Sequence, residues 1–258
     1  MSRALSAGEQ VLFIDAKKRR YLVTLAEGKE FHSHSGIVAH SEVIGSPEGA
    51  AFRSTHGMTY TAIRPTLADF VLKMPRGAQV IYPKDLGPIL VAADIFPGAR
   101  VLESGVGSGA LSMTLLRAGA QVVGYELRED FAARAVKNVV AFLGPDVQER
   151  FRVEQRDCYE GIDETDLDRV VLDLPEPWQV VKHAARALHP GGILLAYTPQ
   201  ITQAVQLCET LAESAFGMVE TIEVLQRGWH IEGQSVRPDH RMVAHTGFLT
   251  HARLLGSS

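Results

Sequence analysis

From residue 100 to residue 215, strand-like and helix-like segments alternate, and this alternation constrains the fold more than any other feature of the chain. The predicted strands are RVLES, QVVGYEL, RVEQR, DRVVLDL and GILLAYT, and the predicted helices cover 110–118, 129–143, 177–188 and 201–215. Such repeats form a parallel sheet with helices on both faces. Two further strand-like segments, 218–233 and 245–255, predict an antiparallel addition to this sheet. The fold class is therefore α/β, with a Rossmann-like sheet.

The first 64 residues follow a different pattern. Short apolar runs at 11–14, 21–25, 36–39 and 58–63 alternate with the turn-rich segments AEGKE, HSHSG and GSPEG. No helical period is present, and this pattern is typical of a small β-barrel or sandwich. Helices are predicted at 67–74 and 86–96. We therefore predict two domains, a small N-terminal β-barrel-like domain over 1–64 and a larger α/β domain over 65–258.

A glycine-rich loop follows the first strand of the α/β region and opens a helix. Its sequence is ESGVGSGALS, residues 103–112. Glycines there permit a tight turn and a close approach of a ligand to the backbone. Gly105, Gly107 and Ala110 also satisfy the dinucleotide fingerprint, so the loop leaves both a methyltransferase and a nicotinamide-dependent oxidoreductase open. A plain structural turn is the third possibility.

Three residues beyond the loop also fit a nucleoside site. Glu126 ends the second strand, where an acid can accept hydrogen bonds from both ribose hydroxyls of either cofactor. Phe131, just beyond, packs either on the ligand or in the core. Asp157 follows the third strand and either holds an adenine amino group or caps a helix.

The segment DLPEPW, residues 173–178, separates the two cofactor classes. Methyltransferases acting on planar amino-bearing nitrogens often carry an acid or amide here, followed by prolines and an aromatic residue. The prolines stiffen the turn, and the acid can accept a hydrogen bond from an exocyclic amine. Dehydrogenases have no use for this segment, although a rigid turn without chemistry is also open. The segment favours a methyltransferase.

The cysteines, the histidines and the apolar runs limit which classes of protein the chain can belong to. Cys158 and Cys208 lie in no CxxC pair, and the histidines show no HExxH spacing, so we expect no disulfide and no metal. The first ten residues contain no apolar leader and no run approaches 18 apolar residues, so we expect a cytoplasmic protein without a membrane span.

The net charge is −4, but residues 1–80 carry +3 and residues 226–258 carry +2. A polyanion would therefore meet the two ends of the chain, unless these charges are ordinary solvated surface.

The whole chain resembles the tRNA (adenine-N1)-methyltransferase family that modifies adenine 58 of the T-loop. The resemblance rests on MPRGAQVIYPKD at 74–85, the glycine loop, DLPEPW, LQRGWHIEG followed by RPDHRMVAHTGFL within 225–249, and the small N-terminal β domain. It implies S-adenosylmethionine as cofactor, tRNA as substrate and a homotetramer. A methyltransferase for another RNA, a protein or a small molecule, a nicotinamide-dependent oxidoreductase and a non-catalytic subunit remain as alternatives.

The resemblance also implies roles for particular residues. Asp173 would face both cofactor and target adenine, Tyr82 and Tyr197 would flank the base, and Tyr82 to Asp85 would line the methionine end. The tRNA would lie on Lys17 to Arg20, Arg227, Arg237 and Arg241. The residues assigned to the cofactor are Gly105, Gly107, Ser108, Gly109, Ala110, Leu111, Glu126, Phe131, Asp157 and Asp173.

Overall fold

The computed structural model describes residues 3–77 and 79–256, so the extreme ends of both predicted domains lie outside the described residues. The chain divides into two compact units, one ending at Pro75 and the other beginning at Arg76. The predicted boundary at residues 64 and 65 falls eleven residues earlier, because the helix after it packs with the first unit.

The first unit is built around an antiparallel sheet with strand order β2-β1-β6-β5 and a separate β3-β4 hairpin. The described pairings do not close this sheet into a barrel. Its strands are β1 (Gln10–Asp15), β2 (Arg20–Thr24), β3 (Glu30–Ser33), β4 (Gly36–Ala39), β5 (Ala51–Arg53) and β6 (Thr59–Ile63). The ring of Phe13 on β1 stacks on that of Phe31 on β3 at 4.7 Å, so aromatic contacts join sheet and hairpin.

Two helices accompany these strands. The short helix α1 (His40–Val43) forms where the sequence shows no helical period. The second, α2 (Leu67–Lys73), begins after Thr66, whose side chain accepts a hydrogen bond from the Asp69 N–H while the Asp69 carboxylate accepts one from the Thr66 N–H. This capping box satisfies two backbone donors that a helix start leaves without intrahelical partners.

The second unit contains the predicted alternation of strands and helices. Its helices are α3 (Pro83–Ala92), α4 (Ala110–Arg117), α5 (Glu129–Leu143), α6 (Val181–Ala187) and α7 (Ile201–Ala212). Its strands are β7 (Arg100–Ser104), β8 (Gln121–Tyr125), β9 (Phe151–Glu154), β10 (Leu167–Leu172), β11 (Leu188–Thr198), β12 (Phe216–Glu223), β13 (Trp229–Glu232), β14 (Ser235–Pro238) and β15 (Phe248–Leu254).

Seven of these strands form one sheet with the order β12-β15-β11-β10-β7-β8-β9. Strands β7 to β11 pair in parallel, whereas β15 pairs antiparallel with both β11 and β12. The direction of the strand order reverses between β7 and β10, and open α/β sheets bind ligands at the carboxyl ends of the strands beside such a point. The α/β prediction with an antiparallel addition is confirmed, and the sheet places the glycine loop and DLPEPW side by side.

Several predicted element bounds were wrong. The helix expected at 86–96 begins at Pro83, since the fixed φ of proline suits the first helical position, and ends at Ala92. The helix expected at 177–188 is a 3₁₀ segment, Pro177–Val180, followed by α6. The strand expected at 218–233 is divided, because β13 leaves the sheet and turns at Gly233, whose φ is +54°, to pair with β14.

Candidate active site

The glycine loop leaves β7 with Gly105, Gly107 and Gly109 at φ of +86°, +56° and +85°. A β-carbon at Gly105 would collide with the backbone carbonyl of Asp173, whereas one at Gly107 would have its nearest neighbour at 3.9 Å. A β-carbon at Gly109 would crowd α5, reaching the Ala135 carbonyl oxygen at 3.2 Å. The first and third glycines therefore allow close packing, and the second leaves the backbone open to a ligand.

Glu126 follows β8 directly and bends back toward this loop. Its Oε2 atom accepts a hydrogen bond from the Gly107 N–H at 2.9 Å, and its Oε1 atom accepts one from the Arg128 N–H at 3.0 Å. The residue is only 8% exposed, so it does not face bulk solvent. The carboxylate is thereby fixed at the carboxyl end of β8, next to the open backbone of the loop.

Phe131 and Asp157 make their described contacts with residues outside the glycine loop. The Arg128 guanidinium stands over the Phe131 ring at 3.8 Å from its centroid, a cation–π contact on a partly buried ring. Asp157 Oδ1 accepts a hydrogen bond from the Tyr159 N–H at 2.9 Å, which shapes its own loop. Neither lines the cleft described below.

Asp173 directly follows β10, and Glu103 is the second-last residue of the neighbouring strand β7. The Asp173 N–H donates to the Ser104 carbonyl at 2.9 Å, continuing the parallel ladder. Burial raises the pKa of Asp173 to about 7, and the nearby carboxylate of Glu126 adds to this rise. Burial likewise raises the pKa of Glu103 to about 8, with Asp173 and Glu126 adding to the effect. Asp173 and Glu126 therefore lie near enough to Glu103 to affect its protonation.

Glu103 was not among the site residues expected from the sequence. It is fully buried, and its Oε2 accepts a hydrogen bond from the Ser112 hydroxyl at 2.6 Å. Its Oε1 has no hydrogen-bond partner within the described residues. The raised pKa leaves Glu103 protonated at neutral pH, and a neutral carboxylic acid costs less to bury than a carboxylate. An acid directly after the apolar pair Val101 and Leu102 in this short strand was the available sequence signal.

A cleft runs over the glycine loop. It is lined by Gln79, Val80 and Ile81 on one side and by Gly105 to Ser108, Ala110, Leu111 and Asp173 on the other. Ser108 is buried, and its carbonyl accepts a hydrogen bond from the Asn138 side chain at 3.0 Å. Most of the residues predicted for the cofactor thus meet in one place. Residues 79–81 join them there, and these belong to the MPRGAQVIYPKD segment but were assigned no cofactor role from the sequence.

A second cavity of about 460 Å³ opens beside the cleft. Tyr82 and Tyr197 both line it, as do Gln79 and the residues from Met242 to Thr246. Gln79 lines both cavities, so they are neighbours. The two tyrosines predicted to flank a base are therefore brought together although they are far apart in sequence.

Lys84 and Asp85 do not line either space. Their side chains are 2% and 0% exposed and form an ion pair with 2.8 Å between Lys84 Nζ and Asp85 Oδ1. The expectation that Tyr82 to Asp85 together line the methionine end is therefore wrong for these two residues. The start of α3 turns them into the protein interior.

Another crevice, of about 280 Å³, lies at the opposite edge of the sheet, where the parallel strands begin. Its lining includes Arg152 and Glu164, which form an ion pair with each other. Ligands bind at the other edge in such sheets. Within the described residues, no group of three or more His, Cys, Asp or Glu could hold a metal ion, and no helix is long and apolar enough to cross a membrane.

Comparisons with known proteins match this architecture. Residues 58–238 match the family described as tRNA methyltransferase complex GCD14 subunit, and residues 4–51 match the family described as TrmI-like N-terminal. A tRNA (adenine(58)-N(1))-methyltransferase TrmI of Thermus thermophilus is 38% identical over 246 residues, covering 94% of this chain and 96% of the relative. The tRNA (adenine(57)-N(1)/adenine(58)-N(1))-methyltransferase TrmI of Methanocaldococcus jannaschii is 35% identical, covering 94% of each chain.

Two solved structures share the fold over nearly the whole chain. A SAM-dependent O-methyltransferase from Thermotoga maritima superposes with a TM-score of 0.93 at 33% identity, covering 99% of this chain and 96% of its own. The tRNA (m1A58) methyltransferase TrmI from Aquifex aeolicus superposes with a TM-score of 0.86 at 28% identity, covering 99% and 100%. The protein has the class I methyltransferase fold with an N-terminal β domain, and it belongs to the TrmI family of tRNA methyltransferases.

Proposed function

We propose that this chain transfers a methyl group from S-adenosylmethionine to N1 of the adenine at position 58 in the T-loop of tRNA. The observation that carries the proposal is the position of Asp173. It lines the cleft over the glycine loop, and Gln79 connects that cleft with the cavity between Tyr82 and Tyr197. A cofactor in the cleft and a base in the cavity would meet near one acid. The named relatives act on this same adenine.

The residues in the cleft and directly beside it fit S-adenosylmethionine. The open backbone at Gly107 allows a close approach, and Glu126 is fixed where it can accept hydrogen bonds from ribose hydroxyls. The ionised form of Asp173, which lines the cleft, favours a positively charged centre. In this proposal Ser108 to Leu111 contact the cofactor, and Phe131 and Asp157 approach its adenosine end.

The cofactor supplies an electrophilic methyl group on a sulfonium. Transfer to nitrogen is an in-line displacement, in which the bond from the methyl carbon to N1 forms as its bond to sulfur breaks. Alignment supplies most of the acceleration, so the chain's main task is to orient the base. The N1 edge is normally hidden in the RNA, so the adenine has to be turned out into the cavity between Tyr82 and Tyr197.

Asp173 acts on the base itself in this mechanism. Its carboxylate accepts a hydrogen bond from the N6 amine and stabilises the positive charge that develops on the ring as N1 is methylated. A pKa of about 7 also allows this group to accept the N6 proton after transfer. Among the described residues that line the cleft, Asp173 is the one acid.

The tRNA backbone would contact the basic ends of the chain. Lys17 and Lys18 are exposed on the turn between β1 and β2, whereas Arg19 and Arg20 form ion pairs with Asp15 and Asp69. The exposed residues of the second unit in this proposal are Arg227, Arg237 and Arg241. Arg241 directly precedes the segment that lines the cavity. With tRNA as the substrate, the proposal includes a cytoplasmic location.

We further propose a homotetramer. Support comes from large apolar side chains exposed on β12 and on the β13-β14 hairpin, which include Met218 at 70%, Trp229 at 57% and Ile231 at 73%. Large exposed apolar side chains on consecutive strands are a feature of interaction surfaces. Light scattering of the purified protein should give four times the chain mass of 28.1 kDa, and a monomer at micromolar concentration would contradict the proposal.

The function is tested with radiolabelled S-adenosylmethionine, an unmodified tRNA transcript and a second transcript in which adenine 58 is replaced. Label in the first and none in the second supports the proposal. A transcript with adenine 57 replaced shows whether that base is also modified, as the name of the archaeal relative states for that enzyme.

A second candidate comes from the Thermotoga structure, which is described as an O-methyltransferase. Label in neither transcript, with the cofactor still bound, would contradict the tRNA proposal. Label in a hydroxyl-bearing small molecule under the same conditions would favour the O-methyltransferase activity.

A further inference from the structure

A closed ring of buried polar contacts lies behind the cavity wall. Lys84 Nζ donates to Asp85 Oδ1 at 2.8 Å, to the Val224 carbonyl at 2.6 Å and to Thr246 Oγ1 at 2.6 Å. Thr246 Oγ1 in turn donates to Asp85 Oδ2 at 2.7 Å. An ammonium group has three donors, and all three are used here. A buried charge that is fully partnered in this way has little freedom to move.

The ring of contacts joins three distant parts of the second unit. Lys84 and Asp85 begin α3, Val224 follows β12, and Thr246 precedes β15. The hydrogen bond from Lys84 to Thr246 spans 162 residues of sequence, and the one from Thr246 to Asp85 spans 161. The segment 242–246, one wall of the cavity, is therefore fixed at its far end by the start of α3.

The same segment holds Tyr197. The Tyr197 hydroxyl donates to the Thr246 carbonyl at 2.6 Å. A β-carbon on Gly247 would lie 2.5 Å from Cζ of the Tyr197 ring, so the aromatic ring rests directly on the glycine backbone. Thr246 therefore fixes the position of the Tyr197 hydroxyl, and Gly247 fixes the orientation of the Tyr197 ring. This ring is part of the cavity lining.

His245 provides a second anchor beside Thr246. Its Nδ1 lies 2.7 Å from Glu223 Oε1 and its Nε2 lies 2.8 Å from the Pro199 carbonyl oxygen. Thr246 thus contacts buried residues at the start of α3, whereas His245 contacts residues at the ends of β11 and β12. Two adjacent anchors on different sides restrict both translation and rotation of the cavity wall.

We infer that Lys84, Asp85 and Thr246 are positioning residues for the target base. They hold the 242–246 wall and the Tyr197 side chain where a nucleobase can be clamped against Tyr82. The inference rests on the proposed function, since it names what aligns the substrate of that same site. Because alignment governs the rate of methyl transfer, loosening the ring of contacts should lower the rate of transfer rather than the affinity for the cofactor.

The test compares Thr246→Val, Thr246→Ser and Thr250→Val. Valine at 246 removes the hydroxyl at nearly constant volume, and serine restores it. Thr250 is the matched control, because it is a buried threonine on β15 whose hydroxyl pairs with Thr221 at 2.9 Å, outside the cavity lining. The readouts are kcat on the transcript, Kd for S-adenosylmethionine, and the fluorescence of a transcript with 2-aminopurine at position 58.

Thr246→Val should lower kcat roughly 10- to 100-fold and abolish the fluorescence rise that reports an unstacked base, with the cofactor Kd within about threefold of wild type. Thr246→Ser should recover most of both signals, and Thr250→Val should match wild type. If Thr246→Val does not fold, Tyr197→Phe keeps the aromatic ring, removes only its bond to Thr246, and should show the same pattern.

Equal kcat for Thr246→Val and Thr250→Val would overturn the inference while leaving the proposed function intact. A loss of kcat that tracks an equal loss of cofactor affinity would also overturn it, since that pattern indicates general disruption. If the wild-type chain methylates neither transcript, the proposed function fails first and this inference fails with it.

Discussion

The backbone carbonyl of Asp173 faces the α-carbon of Gly105 so closely that no β-carbon fits between them. This contact joins the loop after β7 to the loop after β10 across adjacent strands. It brings the glycine loop and DLPEPW into a single site, and it makes glycine necessary at position 105 for two reasons, the steric contact and a φ of +86°.

Gly105→Ala is therefore expected to displace either the glycine loop or Asp173. Cofactor affinity should fall at least about tenfold, because an added side chain at a positive φ is strained and meets backbone rather than a flexible side chain. Isothermal titration with S-adenosylmethionine measures the change. The matched control is Gly87→Ala in α3, where the new β-carbon has no neighbour within 4 Å. Full affinity in Gly105→Ala would show that the site tolerates a different loop geometry.

Asp173→Asn should lower the rate of methyl transfer by on the order of 10²–10⁴, because the amide cannot stabilise the cationic ring or accept its proton. Single-turnover kinetics with saturating tRNA isolates this step. Glu176→Gln is the control, since it removes an exposed acid from the same loop. A loss below about threefold, with both substrates bound normally, would remove Asp173 from the mechanism.

The activity should depend on pH through the same residue. The pKa of Asp173 is raised to about 7, so this carboxyl is mostly protonated at pH 6 and mostly ionised at pH 8. Only the ionised form can stabilise the developing cation, so kcat/KM should rise with pH and level off above about pH 8. Asp173→Asn should flatten this rise over the same range. A wild-type profile that is level from pH 6 to 8 contradicts the assignment.

Glu103 should make the ligand-free protein less stable as the pH rises. Its pKa is about 8 in the folded state and near 4.5 in the unfolded chain, so the folded state binds more protons between these values. Stability therefore falls as pH rises through this window. Glu103→Gln removes the effect, and its melting temperature should exceed that of wild type by a few degrees at pH 8, with a smaller difference at pH 5. A difference independent of pH would exclude the titration of Glu103 as its cause.

The affinity for tRNA should fall steeply with salt, because basic side chains displace counterions from phosphates. Replacing Lys17 and Lys18 with glutamate should weaken binding and reduce the slope of log K against log salt by about one for each phosphate that is no longer neutralised. Lys182→Glu on α6 is the control for each of the single replacements Lys17→Glu and Lys18→Glu, because it makes the same change of two charges at another exposed site. Filter binding between about 50 and 200 mM salt measures both quantities. Equal effects of Lys182→Glu would mean that net charge alone governs binding.

Local sequence determined the α/β class and most of the candidate cofactor residues. The period of apolar residues distinguishes strands from helices. A glycine-rich loop between a strand and a helix is typical of a nucleoside or nucleotide site. Glu126 and Asp173 could be singled out because each stands at the end of a recognisable strand. The carboxyl ends of parallel strands meet at one edge, so their approach follows from the fold class.

Only the tertiary structure decided which distant residues share a surface. Residues 79–81 cover the glycine loop, and Lys84 reaches Thr246 across 162 residues, through packing that no local period encodes. The burial of Glu103 and its unpartnered oxygen depend on every element around β7. The β13-β14 hairpin shows the same division, because a turn at Gly233 took a predicted sheet strand out of the sheet. The periodicity of apolar side chains determines which residues can be buried. Which residues a buried group contacts is determined only when the helices and strands pack together.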